Sequence, residues 1–347
     1  MTEPVLILYN SVEPPPPDGS GADFAESRAG VLNEVRAVAE ALHTLGIPYE
    51  IDHIALIEDL ADVLARRHHR IIFNLVEELP GDIQAACYVP ALCAAHGRQV
   101  TGSGTPALLL AQNKWHAKAV LAAAGVACPA GTTVFPGHTA NFELPPGRYL
   151  VKPACCDASE GIDSDSVVDW PGPDVQAAIR RVHERFAQPA VVEQFIAERE
   201  LNVSVLQTGS KVEVLAIAEI DFSAFDEQRA RIVDYSAKWH ADSFAYNNTP
   251  RMIPAPISEA AARRVRRQAL AAWHAVGCSD YARVDFRMDN EEKTYVIEVN
   301  PNPDISPDAG FAAALEKNEI NYESFVAVLY DNALAGRTCS MPRQADG

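Results

Sequence analysis

Hydrophobic and polar positions change period several times along this chain, and each change marks an element. "VLILYN" (5–10) is a continuous apolar run, the pattern of a strand covered on both faces in a parallel sheet. Between Gly30 and Leu45 apolar residues recur at helical intervals (Val31, Val35, Val38, Ala39, Leu42, Leu45), and Gly46 supplies a stop. "IPYEID" predicts a second strand, "IEDLADVLARR" a helix and "RIIFNLV" (70–76) a third strand. This β-α-β-α-β order predicts an open α/β domain over residues 1–110.

Further along, "NKWHAKAVLAAAGVACP" predicts a helix, and "YLVKP" and "AVVEQFI" predict short strands. "ELNVSVLQTGSKVEVLAIAEI" alternates on both sides of Thr208-Gly209-Ser210, which predicts a β-hairpin. "DYSAKWHADSFAYNNTP" reads as a polar loop. Ser258 to Val276 is a basic amphipathic helix with Ser258 as N-cap, followed by a final hairpin and a terminal helix. "EPPPPDGSGAD" (13–23) reads as a loop.

The final hairpin, "YARVDFRMDNEEKTYVIEVN" (281–300), carries the chemistry. Strict alternation puts Ala282, Val284, Phe286 and Met288 on one face, and Arg283, Asp285 and Arg287 on the other. In the second strand it sets Tyr295, Ile297 and Val299 against Val296, Glu298 and Asn300. A loop of Asn290 to Lys293 then places Phe286 opposite Ile297, Val284 opposite Val299, Asp285 opposite Glu298 and Arg283 opposite Asn300. Carboxylates directly across a sheet repel. A hard cation offsets that, and two carboxylates plus an amide form an oxygen-only set that favours Mg²⁺ or Mn²⁺ over zinc. Arg283 beside them suits developing negative charge. The alternative is a solvated face on which Arg283 and Arg287 simply pair the acids. Pro301 and Pro303 end the strand abruptly just after Asn300, which favours a site.

Composition narrows the partners. The 347 residues carry a formal charge of −18, which disfavours nucleic acid and anionic membrane surfaces. No apolar run is long enough to span a bilayer, and "MTEPVLILYN" lacks the basic start of a signal peptide. The seven cysteines show no C-x-x-C spacing, so neither zinc nor a disulfide framework is indicated and a reducing cytoplasm is the expected setting. Cys155 and Cys156 share a loop, but most of the cysteines read as small buried hydrophobes. There is no Walker P-loop, and neither "GSG" (Gly19, Gly102) completes G-x-G-x-x-G.

"GCSDYARVDFRMD…YVIEVNPNPDIS" resembles the C-terminal signature of the ATP-grasp fold in its D-alanine–D-alanine ligase branch. The likeness continues in order through "NKWHAKAVLAAAGVACP", "YLVKPACCDASEGI", "VVEQFIAERELNVSVL", "AIAEI" and "DYSAKW", over roughly residues 100 to 330. The resemblance implies an α/β (α+β) ATP-grasp protein with an N-terminal open parallel domain (1–110), a central subdomain (111–197) and a C-terminal subdomain (198–347) bearing the metal and catalytic site. It implies ATP and Mg²⁺ (or Mn²⁺), with Asp285, Glu298 and Asn300 as metal ligands and Arg283 stabilising a tetrahedral intermediate. Lys114 and Lys152 match the lysines on the ATP phosphates, and Ser159 and Gly161 the loop that covers them. Glu193, Gln194 and Ile196 match the adenine hinge, with Glu193 on the exocyclic amine, and Glu200 matches the ribose ligand. Lys238 matches the mobile-loop lysine that reaches the γ-phosphate, which makes Tyr235 to Pro250 a candidate lid. The implied activity is ATP-dependent joining of a carboxylate to an amine through an acyl phosphate, by a cytoplasmic homodimer. A nucleotide-binding regulatory protein without turnover is the alternative from another class.

The substrate side departs from the family. Its N-terminal G-G-x-S-x-E-x-x-V-S is absent; Glu13, Glu26 and Ser27 lie in that region outside any motif. Val76 and Glu77 stand at its His-Gly positions, Ala158 after Asp157 at the first serine of the phosphate loop, and Trp239 at the tyrosine after the lid lysine. Asp304 replaces a glycine, and Ala309-Gly310 replaces the Ser-Leu that grips the acceptor carboxylate. Asp304 either repels an acceptor carboxylate in favour of an amino group or caps the turn after Pro303. The expected substrates are therefore an amino acid or small peptide other than D-Ala-D-Ala, with D-alanine–D-alanine ligase activity on rearranged pockets as the alternative.

Overall fold

The computed structural model describes residues 2–12, 30–80, 82–138, 142–156, 159–226, 229–240 and 242–336. The Pro-rich loop 13–23, Glu13, Glu26, Ser27, Asp157, Ala158 and Cys339 lie outside the described residues, as does the side chain of Trp239.

Strands β1 (Val5–Asn10), β2 (Tyr49–Ile54), β3 (Ile71–Leu75) and β4 (Gln99–Val100) form a parallel sheet in the order β2-β1-β3-β4. The unbroken apolar run of β1 follows from its central place. Val5 and Ile7 pack with the first helix, Val31–Thr44, and the last, Tyr322–Leu334, while Leu6 and Leu8 pack with Leu60 and Val63 on the opposite face. Each such aliphatic side chain, taken fully out of water, contributes about 1.5–3 kcal/mol.

Strands β5 (Gly131–Val134), β6 (Gly147–Pro153), β7 (Val167–Trp170) and β8 (Ala190–Gln194) form an antiparallel sheet ordered β5-β8-β6-β7, covered by helix Asp174–Phe186. The third sheet, β11-β10-β9-β12-β13, joins β9 (Arg199–Thr208), β10 (Lys211–Ile220), β11 (Arg251–Met252), β12 (Tyr281–Met288) and β13 (Thr294–Asn300). The predicted turn at Thr208-Gly209-Ser210 links β9 to β10, and Gly209 has φ +63°, a conformation that suits glycine. Helix Glu259–Val276 starts where Ser258 accepts the Ala261 N–H, and its Val265, Ala269 and Trp273 cover one face of this sheet.

The hairpin register needs one correction. Arg283 pairs with Asn300, Val284 with Val299 and Asp285 with Glu298, as expected, but Phe286 pairs with Val296 and not Ile297. A β-bulge between these pairs inserts one residue in β13. Val296 and Val299, three apart, therefore both reach the core at 0% and 2% exposure, while Ile297 stays half-buried. Strict alternation could not see this, because a bulge breaks the two-residue period. Two further differences are local. The polar loop contains short helices Tyr235–Trp239 and Phe244–Asn247, capped by Asp234 and Ser243, and the terminal helix is two helices, Gly310–Lys317 and Tyr322–Leu334. Among the described residues no helix is long and apolar enough to cross a membrane.

Candidate active site

A cleft of about 950 Å³ is lined by the segment after β3, by β9, β10, β12 and β13, and by the loops that carry Cys155 and Lys238. Alternation builds its floor. In β9, Leu201, Val203 and Val205 are fully buried, so Glu200, Asn202 and Ser204 face the cleft. In β12, Arg283 and Asp285 do the same, and the register sets Arg283 beside Ser204, Asp285 beside Asn202 and Arg287 beside Glu200. β13 adds Glu298 and Asn300.

This polar face is densely paired. Arg283 grips Asp285 as a fork, with Nε–Oδ1 at 2.8 Å and Nη2–Oδ2 at 2.9 Å, and Asn202 Nδ2 donates to Asp285 Oδ1 at 2.9 Å. Glu298 Oε1 lies 3.3 Å from Lys114 Nζ. Burial opposes charge on Glu298, but Lys114, Lys238 and Arg283 outweigh it and hold the carboxyl down at about 2. Glu298 is thus held in its carboxylate form by three neighbouring cations. Asn300 Oδ1 accepts the Asn302 N–H at 2.9 Å. Lys238 reaches the same cleft, and burial followed by the charge of Arg283 lowers its pKa. Glu200 Oε2 is held by Arg287 Nη1 at 2.9 Å, yet burial still raises its pKa.

A second cluster lies behind this face. Asn113 caps helix Lys114–Ala123 by accepting the Trp115 and His116 N–H groups, which puts Lys114 in its first turn. Lys114 and Lys118 are each 7% exposed, so the solvated helix face a surface lysine suggests is not what forms. Lys114 Nζ donates to the Cys156 carbonyl. Lys118 pairs with Glu193, whose other oxygen is 2.7 Å from Lys152 Nζ. Glu193 is 2% exposed; burial opposes its charge, but Lys118 and Lys152 hold it at about 2. Burial lowers the pKa of Lys152 in turn. Next to this cluster, the Ile196 carbonyl accepts Arg287 Nε at 2.7 Å, and the Arg287 guanidinium lies 5.4 Å from the centre of the Phe195 ring. Gln194 donates its N–H to the Ala130 carbonyl at 2.7 Å and keeps an exposed side chain.

Two loops meet beside the cleft. Ser159, at φ +64°, donates its hydroxyl to the Val233 carbonyl at 2.8 Å, and the Tyr235 N–H reaches the Ile162 carbonyl at 3.4 Å. Gly161 has φ +74°, and a Cβ there would sit 2.7 Å from Phe186 and Pro153. The loop matched to phosphate covering therefore docks on the segment that carries Lys238.

Seven of the residues expected from sequence line the cleft: Arg283, Lys238, Asp285, Glu298, Asn300, Glu200 and Asp304. Lys114, Lys152, Glu193, Gln194, Ile196, Ser159 and Gly161 do not line it, and Lys114 links the two groups through Glu298. Asp304 Oδ1 accepts the Ser306 N–H at 2.8 Å, which is the turn-capping alternative.

Several residues at the site escaped the sequence reading. Glu34, 3% exposed, bonds the loop at Ile305; its signal is an acid on the apolar stripe between Val31 and Val38. Arg251 lines the cleft, and a Cβ on Gly310 would lie 3.3 Å from its guanidinium. The lack of a side chain at Gly310 leaves room for that arginine. Lys118 and Asn202 carried no signal beyond their helix and strand positions.

A family model described as D-ala D-ala ligase C-terminus matches residues 138–331. An uncharacterized protein of Sinorhizobium fredii, y4sG, is 30% identical over 274 residues, 78% of this chain and 76% of its own. A D-alanine–D-alanine ligase of Caulobacter vibrioides is 30% identical over 91% of both chains. The crystal structure of a D-alanine–D-alanine ligase from Bacillus anthracis complexed with ATP superposes with a TM-score of 0.73 over 97% of this chain and 99% of that one, at 17% identity, a likeness of fold. With that fold, that matched segment and those relatives, the chain belongs to the D-alanine–D-alanine ligase-like family of ATP-grasp enzymes.

Proposed function

We propose that this protein is an ATP-dependent ligase that joins a carboxylate to an amine through an acyl phosphate, and that its substrates are an amino acid or small peptide other than two D-alanines. The observation that carries the reading is Glu298, held ionised among Lys114, Lys238 and Arg283 on the cleft-facing side of β13. Two carboxylates and an amide oxygen fit Mg²⁺, which takes few protein oxygens and completes its shell with phosphates and water. Bound there, magnesium would neutralise charge during phosphoryl transfer. In this reading Asp285, Glu298 and the amide of Asn300 together would hold the ion.

The chain's own residues take the remaining roles. Lys114 and Lys152 bear on the phosphates, with Ser159 and Gly161 in the covering loop. Glu193, Gln194 and Ile196 border the adenine, and Glu200 the ribose. Lys238 reaches the transferring phosphoryl group from the lid 235–250. Arg283 moves from Asp285 toward the oxyanion as the amine attacks, and phosphate leaves. Closure of the lid keeps water from the acyl phosphate. The three separate sheets support division at residues 1–110, 111–197 and 198–347.

A second reading, D-alanine–D-alanine ligase itself, is favoured by the names of the relatives. A coupled ADP-release screen over carboxylate and amine pairs separates the two. ADP is expected only when a carboxylate and an amine are present together and not with D-alanine alone. Release with D-alanine alone establishes the second reading, and silence across amino acids, small peptides and polyamines removes the first.

A further inference from the structure

Glu34 lies on helix Val31–Thr44 and is 3% exposed. A carboxyl in that position destabilises the fold unless something holds it. Its Oε1 accepts the Ile305 N–H at 2.7 Å, and its carboxyl stands against that of Asp304. Asp304 lines the cleft and accepts the Ser306 N–H at 2.8 Å. These bonds fasten the stretch that leaves β13 immediately after Asn300. Further bonds in that stretch run from the Ser306 hydroxyl to Asp304 Oδ1, from the Asn302 N–H to Asn300 Oδ1 and from the Tyr281 hydroxyl to Asn302 Oδ1.

We infer that Glu34 is a positioning residue for the ligation: by bridging Ile305 and Asp304 it fixes the loop after Asn300 and the orientation of Asp304 in the cleft. The inference rests on the ligase reading above for its consequence, though the bridge itself does not.

Two carboxyls that share a hydrogen bond hold one proton between them. Burial first, then the negative charges of Glu77 and Asp304, push Glu34 well above the usual carboxyl range, which favours Glu34 as the donor of the pair. The titratable groups that bear on Glu34 are Glu77 from the segment after β3, Asp304 from the loop, Tyr281 of β12 and Tyr322 of helix Tyr322–Leu334. All of these are acidic. Ionising Glu34 therefore adds a charge next to negative neighbours and breaks its donation to Asp304, which releases the loop.

The test compares Glu34→Gln with Glu34→Ala. Gln keeps an acceptor for Ile305 and a donor for Asp304, and it cannot ionise. With the active substrate pair, Glu34→Ala is expected to lose on the order of tenfold or more in kcat/KM, the cost of an unmade buried hydrogen bond. Glu34→Gln should stay near wild type at neutral pH and lack the alkaline decline that Glu34 imposes. Carboxyl ¹³C NMR reads the bridge without turnover. The Glu34 signal, identified by its loss in Glu34→Gln, should titrate above the usual carboxyl range and shift down in Asp304→Asn. If no substrate pair elicits ADP from wild type, the ligase reading fails while the NMR titration still decides the bridge. Titration of Glu34 in the ordinary range overturns the bridge. Equal impairment of Glu34→Gln and Glu34→Ala, or unchanged pH profiles, overturns the positioning role.

Discussion

Glu193 and Glu34 are both glutamates almost without exposed surface, at 2% and 3%, yet their surroundings drive them in opposite directions. Glu193 sits between Lys118 and Lys152, which hold it ionised at about 2 against the cost of burial. For Glu34, burial first and then the charges of Glu77 and Asp304 push the carboxyl well above its usual range. The first lies where the residues match the ATP-handling pattern of the family, and the second where the substrate-side motifs are missing. Neighbouring charge, not depth, decides which buried acid is an anion. The cluster around Glu193 is a compensated ion set, and Glu34 beside Asp304 is an acid pair.

Breaking the compensated half should have the largest effect. Glu193→Gln leaves Lys118 and Lys152 buried without their counter-charge, and losing one partner of a buried pair costs about 3–5 kcal/mol. The Tm should fall accordingly. Because the folded carboxyl lies below its ordinary value, its contribution is complete above the usual carboxyl range and disappears as pH falls through about 2. The gap between wild type and variant should therefore close toward acid pH. An unchanged Tm at neutral pH would show that water, not Glu193, balances the lysines.

The two halves differed just as much in how far sequence could reach them. β1, its flanking helix and β9 were legible because their periods were unbroken, and β10 was legible as a strand although its register shifts between Val214 and Ile217. The cleft-facing row Arg283, Asp285, Glu298 and Asn300 was legible because alternation and cross-strand register determine it. Past Asp285 the register shifts, since the bulge that brings both Val296 and Val299 to the core has no two-residue signature. Ion partners were less accessible still. Lys118 joins a glutamate 75 positions away and Glu34 joins a backbone N–H 271 positions away, distances that no local period encodes. Asp304 was legible as a departure from the family, but its partners Ser306 and Glu34 required the fold.

A third carboxylate places a point between the extremes. Asp280, 1% exposed, is held by neutral donors, the Gly102 N–H at 2.7 Å and Asn332 Nδ2 at 3.0 Å, and burial pushes it up to about 7. A raised folded-state value means that the native state binds the proton more tightly than the unfolded chain. Stability from this group is therefore complete at acid pH and is lost as pH rises through about 7. Asp280→Asn cannot titrate. The Tm difference, wild type minus variant, should shrink by several degrees between about pH 4 and pH 8. A difference independent of pH would mean that Asp280 is already ionised in the acid range, and the ranking of the three carboxyls by their neighbours would fail.

The smallest effect is expected at Asp304→Gly, which restores the glycine of the family pattern. Two consequences oppose each other. The Ser306 N–H loses its acceptor, at a cost of about 1 kcal/mol, while Glu34 loses a negative neighbour. Stability measured by denaturant should then move by no more than about 1 kcal/mol. Because the Asp304 carboxylate is turned toward Ser306 and Glu34, removing it should not by itself open the cleft to D-alanine, and ADP release with D-alanine alone should stay absent. Strong D-alanine-dependent release from this variant would place the Asp304 charge against the substrate instead. The acid pair would then be a specificity element first and a loop fastening second, because one substitution would have traded the excluded substrate for the accepted one while leaving the fold intact.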